Sequence, residues 1–440
     1  DFLFSESVGE YTTLVHSSAV SQEHPILVAA REAGLRVMRR GEMLAEVAKQ
    51  KRLIAVVGSH GKTTTSGMIA HGLQHCGIET NYILGGLFSD STKAPSHYCD
   101  SEWLLAEVDE SDGTIDHFSP EVSLVLNIDW DHADRYSEAA HLEEAFAQLL
   151  ARTKQTVLSP GNLKLSVDSG TQKKCFDGSS KKLNLEAPPP GRFNSSNGDA
   201  AAAVLSMLSN QLPVDVLSSF EGMARRQSTL YSSDELVVIE DYAHHPTEID
   251  ALLDCLKSTH PNRRITVVFQ PHRYSRTRQF KSEFATSLEA AHEVLLLPVY
   301  AAFENHLEDA DSAALAGAFS ADRPEVLETT LQGMDVLNER VSGQPTLLAF
   351  VGAGDIEEFA AAFSARWRNQ NSLDAALLDY SLARVSPDCA VKQNEPLANK
   401  TTMRVGGPAR LYAEPANLSD LRELMRAAEL FGLPTFCIGR

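Results

Sequence analysis

A chain of 440 residues with 43% apolar and 22% charged side chains exceeds a single core and reads as two to four soluble domains. Its formal net charge of −20 argues against non-specific binding to nucleic acid or an anionic membrane, so cations for any phosphate must be gathered at one site. Apolar runs are too short to span a bilayer, and six scattered cysteines with no CxxC pair read as reduced cytoplasmic thiols, not as a disulfide framework or zinc site.

The chain begins without an initiator Met or a secretory leader and reads as an internal cut through a longer protein. Residues 1–46 read as the tail of an α/β unit, with a short strand over 13–16 before Ser17-Ser18 and a helix around 29–33. From Lys51 the pattern is strand (53–57), Gly-containing turn and helix (63–76), followed by strands over 103–108 and 122–128. Apolar runs separated by helical periods predict a mostly parallel, doubly wound sheet. Segment 159–190 is rich in Lys, Ser and Gly and precedes a helix over 195–209. A second alternating series begins near 236: strands over 236–242, 264–269, 293–297 and 346–351, with helices over 246–258, 277–291, 328–341 and 355–368. Residues 371–388 read as a linker with one short helix, and 389–440 as a fresh domain start.

The run Gly58-Ser59-His60-Gly61-Lys62-Thr63-Thr64-Thr65 sits between strand and helix. Its backbone N–H groups and the helix N-terminus suit phosphate oxygens, Lys62 supplies a cation and the Thr63 hydroxyl suits Mg²⁺. Val56 occupies the position of the first glycine in the general phosphate-loop pattern. Two acidic strand ends follow, Glu107-Val108-Asp109-Glu110-Ser111-Asp112 and Asn127-Ile128-Asp129-Trp130-Asp131-His132. Each alone reads equally well as a helix-capping loop. On the carboxyl edge of a doubly wound sheet, behind a phosphate loop, the two together read as divalent-metal ligands.

With PGRFNSSN, RRQ, DYAHHPTE and QPHRYSRTR further on, these motifs occur in the order found in Mur ligases, and the chain from about 13 to 369 resembles that family. DYAHHP with QPHRYSRT is similar to the branch that adds L-alanine to UDP-N-acetylmuramate. The resemblance implies an α/β, three-domain architecture: a UDP-substrate-binding N-domain (remnant 1–46, incomplete), a central P-loop ATPase (47–222) and a Rossmann-like C-terminal domain (223–370). It implies ATP and Mg²⁺ as working parts, phosphorylation of the sugar carboxylate, and attack of the alanine amine on the acyl-phosphate.

Residue by residue, the resemblance implies catalytic roles for Lys62, His244, Arg273 and Arg276. ATP contacts fall on Gly58, Ser59, His60, Gly61, Lys62, Thr63, Thr64, Asn197, Arg226 and Asp241. Substrate contacts fall on Ser17, Ser18, Tyr242, His244 and Arg273, and metal ligation on Thr63, Glu107 and His132. A planar guanidinium suits a carboxylate or phosphoryl group because it grips two oxygens at once. Departures from the family pattern are Phe193 for a histidine, Gln227 for a phenylalanine, the whole of 299–312, and the missing Gly-rich loop of the N-domain. With that loop missing, the chain is expected to bind ATP–Mg²⁺ and to hold UDP-N-acetylmuramate weakly, with 1–46 displaced. Helix 138–151 carries no Lys, as in the alanine-adding branch.

Asn394-Glu395-Pro396-Leu397 and Thr401 to Pro408, with a helix near 418–431, resemble the start of the FAD-binding segment of UDP-N-acetylenolpyruvoylglucosamine reductase. That implies a fused pathway neighbour with an incomplete FAD site, weakly packed. Two other readings share the ATP motifs: the sister ligase that reattaches recycled peptides, against which QPHRYSRT speaks, and an inactive ATP-binding fragment.

Overall fold

The computed structural model describes residues 11–18, 20–131, 135–320, 323–341 and 343–438, apart from the side chain of Arg192. The chain divides between Arg226 and Gln227 into two compact units.

In the first unit, β1 (Thr13–His16) pairs in parallel with β2 (Arg36–Arg39). Seven further strands form one sheet: β3 (Arg52–Val57), β4 (Asn81–Ile83), β5 (Ser96–His97), β6 (Trp103–Glu107), β7 (Val122–Val125), β8 (Thr156–Ser159) and β9 (Gln172–Cys175). Their order is β5-β4-β6-β3-β7-β8-β9, parallel throughout except the β4–β5 edge pair. Leu53 to Val57 and all of β7 are buried, as continuous apolar runs must be when both faces of a parallel sheet are covered. Helices Lys62–His75 and Arg192–Leu208 cover one face around Met68, Leu73, Val204 and Leu205. Helix Ala139–Ala151 covers the other, around Phe146 and Leu149.

Residues 1–46 are expected to be displaced, but the helix that closes this segment is seated. Helix Arg40–Ala48 buries Ala45 and Ala48 in the apolar cluster that contains Phe146, and the Arg39 Nη1 donates to the Asp112 carbonyl at 2.7 Å. At Gly41 a Cβ would lie 2.1 Å from the Thr114 hydroxyl, so this helix is seated too closely to be a loose attachment.

In the second unit, β10 (Ser228–Ser232), β11 (Leu236–Asp241), β12 (Arg264–Phe269), β13 (Glu293–Leu296), β14 (Glu325–Val326) and β15 (Thr346–Val351) form a sheet of order β10-β11-β15-β12-β13-β14. Only β10 runs antiparallel. The helix expected over 277–291 is two helices, Tyr274–Gln279 and Lys281–Leu288. The break falls at Phe280, whose ring is held edge-on to His245 with centroids 4.8 Å apart.

The hairpin β16 (Ala390–Pro396) with β17 (Pro408–Glu414) and helix Leu418–Leu430 end the described chain. This tail is not weakly packed. Ala427, Leu430 and Phe431 are buried in one cluster with Phe359 and Phe363 of helix Ile356–Arg368 and Leu377 and Tyr380 of helix Leu373–Leu382. Apolar residues on one side of the last helix make that face, a tertiary outcome that segment-by-segment reading misses.

Candidate active site

Strand register decides what stands on the carboxyl edge of the first sheet. Val56 of β3 pairs with Glu107 of β6, and Val57 with Val125 of β7, so the loop after β3 emerges between the two acidic segments. Gly58 and Gly61 have φ of +138° and +84°, conformations costly to a side chain. A Cβ on Gly61 would also lie 2.7 Å from the Asn197 Oδ1, which places buried Asn197 directly over the loop.

The loop is clamped from the β7 side. His60 N–H donates to Asn127 Oδ1 at 2.8 Å and Asn127 Nδ2 donates back to the His60 carbonyl at 2.9 Å. The Ser59 hydroxyl donates to the Asp129 carbonyl at 2.7 Å and accepts from the Asp129 N–H at 2.9 Å. The His60 Nε2 lies 3.2 Å from Asp129 Oδ2. Asn127 and Asp129 were legible only as parts of an acidic motif; their role as clamps follows from register.

The Lys62 ammonium donates to the Gly58 carbonyl at 2.7 Å and to both oxygens of Glu110, at 3.0 and 3.2 Å, with Asp109 at 3.6 Å. Burial works against its charge, but the carboxylates of Glu110, Asp109 and Glu107 outweigh it and raise the Lys62 pKa. Glu110 is almost fully buried, and burial pushes its pKa up to about 7 although Lys62 pulls the other way. Glu110 was not singled out from sequence; the acid three residues before it, Glu107, was.

The Thr63 hydroxyl donates to Glu107 Oε1 at 3.1 Å, and the Gly85 N–H holds Glu107 Oε2 at 3.0 Å. A hydroxyl and a carboxylate side by side are hard oxygen donors of the kind Mg²⁺ takes. The expected third ligand, His132, lies outside the described residues. Thr64 follows in the first turn of helix Lys62–His75, partly exposed. Arg226 donates its backbone N–H to the Met223 carbonyl, next to Arg225 at φ +60°. Ser17 and Ser18 sit in the exposed turn after β1, whose partner strand is β2.

In the second unit Asp241, Val351 and Phe269 are in register across β11, β15 and β12. The segments following them share the carboxyl edge. Asp241 accepts from the N–H groups of Gln227 at 2.8 Å and Ala243 at 2.7 Å, shaping the turn that presents Tyr242 and His244. The His244 ring lies edge-on to Tyr242 (5.3 Å) and His272 (5.8 Å), and Glu248 Oε2 accepts from the His244 backbone N–H at 3.0 Å. Buried Arg276 brings Nη1 to 3.3 Å from the His272 Nδ1. Arg273 caps helix Tyr274–Gln279 at φ +69°, with its N–H on the Tyr300 carbonyl at 2.8 Å. Four of the expected residues, Tyr242, His244, Arg273 and Arg276, thus gather around an unexpected fifth, His272.

Segment 299–312, which departs from the family pattern, supplies two further members. Tyr300 stacks on His272 with rings 5.6 Å apart and 12° from parallel, and Glu304 accepts from the Ser275 N–H and hydroxyl at 3.0 and 2.6 Å.

Among known proteins, the Mur ligase family's catalytic domain matches residues 2–52, its middle domain 56–159 and its glutamate ligase domain 225–354. The chain is 34% identical over 382 residues to UDP-N-acetylmuramate–L-alanine ligase of Gloeobacter violaceus, covering 80% of this chain and 82% of that one. The enzyme of the same name from Solidesulfovibrio magneticus is 36% identical over 334 residues, covering 68% and 72%. Among solved structures, UDP-N-acetylmuramate–alanine ligase from Thermotoga maritima aligns with TM-score 0.66 at 25% identity, covering 82% of this chain and 86% of that one. A murein peptide ligase from Psychrobacter arcticus aligns with TM-score 0.59 at 19% identity, over 86% and 88%, a likeness of fold.

Proposed function

The chain belongs to the Mur ligase family, and on that premise we propose that it joins L-alanine to UDP-N-acetylmuramate with ATP, as a cytoplasmic step of peptidoglycan precursor synthesis. The observation that carries the reading is the phosphate loop with the half-buried Lys62 ammonium at its centre and Thr63 paired to Glu107. A carboxylate oxygen of the sugar attacks the γ-phosphorus and ADP departs. The alanine amine then attacks the acyl carbon, loses a proton, and the C–O bond to phosphate breaks.

Lys62 and the loop N–H groups meet the phosphate charge, which develops where preorganised donors already point. Thr63 and Glu107 would hold Mg²⁺, which when bound neutralises phosphoryl oxygens. Tyr242, His244, Arg273 and Arg276 orient the amino acid and the transferring group; a guanidinium is suited to both. Asn197, Arg226 and Asp241 are assigned to ATP, and Ser17 and Ser18 to the UDP-sugar. This reading keeps the division at 46, 222, 370 and 388 as one of role, although helix Arg40–Ala48 runs across 46 and residues on both sides of 370 and 388 share one apolar cluster. Its assignment of 389–440 to a fused FAD-binding start rests on sequence resemblance alone. Among the described residues no helix is long and apolar enough to cross a membrane.

Phosphate release from ATP, measured with UDP-N-acetylmuramate and L-alanine, glycine, L-serine or a recycled peptide in turn, tests the reading. Release that requires both the nucleotide sugar and L-alanine supports it; release that requires the peptide instead would assign the chain to the sister branch.

A further inference from the structure

We propose that Arg426, on the last helix, is a positioning residue for the cluster around His272, so that the tail is a working part of the second unit. What the cluster binds rests on the ligase reading above; the mechanical link stands without it.

Arg426 lies beyond residue 354, where the match to the glutamate ligase domain ends. Its guanidinium reaches Asp355 Oδ2 with Nη2 at 2.9 Å, Glu358 with Nε, and Glu429 with Nη1 at 3.0 Å. Asp355 is the N-cap residue of helix Ile356–Arg368, yet its side chain makes no capping bond. An aspartate there ordinarily accepts from the first-turn N–H groups. Here one oxygen turns to Arg426 and the other accepts from Gln270 Nε2 at 2.7 Å.

Gln270 is buried, and its amide oxygen accepts from the Ile356 N–H at 3.1 Å. Two residues further on stands His272, stacked on Tyr300 and beside Arg276. Gly354, adjacent to Asp355, has no room for a Cβ, which would lie 2.3 Å from Gln270 Oε1 and 2.7 Å from the Tyr300 Cγ. A shift of Asp355 therefore displaces both Gln270 and Tyr300, because close-packed groups cannot absorb it. Apolar burial of Ala427, Leu430 and Phe431 already fastens the last helix, so the Asp355 arm does more than attach it.

The test compares Arg426→Ala, Asp355→Asn and Glu358→Gln in the full chain. Amide hydrogen exchange over 270–276, Tm and steady-state kinetics with each substrate varied are the readouts. Arg426→Ala and Asp355→Asn are expected to speed exchange at the Arg273 amide and raise KM for L-alanine, each about tenfold, with KM for ATP unchanged. Arg426→Lys should recover part of the loss, since an ammonium cannot span both carboxylates as the fork does. Glu358→Gln cuts only the fastening arm and should lower Tm without moving KM. If Arg426→Ala lowers Tm but leaves exchange and KM alone, the residue is a fastener and the proposal is overturned. Faster exchange with an unchanged KM overturns it equally. A parent protein that releases no phosphate with L-alanine refutes the ligase reading, and the exchange arms still decide the link.

Discussion

The phosphate edge of the first unit and the His272 edge of the second are built on opposite plans. At the first, the chain itself is the instrument: glycines at positive φ, N–H groups at a helix start, and a single ammonium. At the second, side chains are arranged by other side chains, His272 by Tyr300 and Arg276, and Ser275 by Glu304. A backbone site depends first on its glycines and on the few side chains, such as Asn127, that clamp the loop. A side-chain site depends on every supporting contact.

The largest effect expected from this contrast is at Lys62. Lys62→Ala should lower kcat by about 10³-fold, the scale of removing one preorganised donor, while the fold persists. A variant within tenfold of the parent in phosphate release would break the assignment. Next comes Arg276→Lys, which keeps the charge but loses the fork and the contact to His272. A loss of about 10²-fold in kcat/KM is expected, the scale of a misplacement of about 1 Å; full activity would mean that charge alone matters there.

Asn127→Ala removes two backbone bonds from the loop and should cost about 1–3 kcal/mol in stability with a smaller effect on turnover. Denaturant unfolding checks it, and an unchanged midpoint would show that the clamp is idle.

The smallest effect is at Glu110. Its folded pKa is raised, so its contribution to stability is present in full below its ordinary value near 4.5 and is lost as pH rises through about 7. Tm measured from pH 4.5 to 7.5 should therefore fall less steeply in Glu110→Gln than in the parent. Equal slopes would place the titration elsewhere.

The same contrast explains what could be read in advance. Residues 58–65 are contiguous, so their strand–turn–helix context announces them despite Val56; sheet logic adds the two acidic strand ends, and Glu107 within the first is picked out only by resemblance. Asn127 was hidden because its function depends on which strand neighbours β3. The histidine and arginine positions of the second edge were legible only through resemblance, since isolated histidines carry no periodic signal. Tyr300 stands in a segment that departs from the family pattern, and its bridge and ring stack with His272 reveal it. Asp355 stands at the N-cap position of helix Ile356–Arg368, and long-range partners take its side chain instead.

The strand order of the second unit carries a consequence for how it folds. β15 lies between β11 and β12 but is made last of the three, so the edges these two strands turn to the centre of the sheet stay unpaired until Thr346–Val351 has been synthesised. Until then β11 and β12 present unsatisfied, strongly apolar edges, the state most open to aggregation and to capture by chaperones. Non-local closure of this kind is slow. Tyr242 follows β11 and His272 follows β12, so the cluster cannot assemble on a nascent chain that ends before residue 346. A ribosome stalled short of that point would carry every residue of the cluster and none of its geometry.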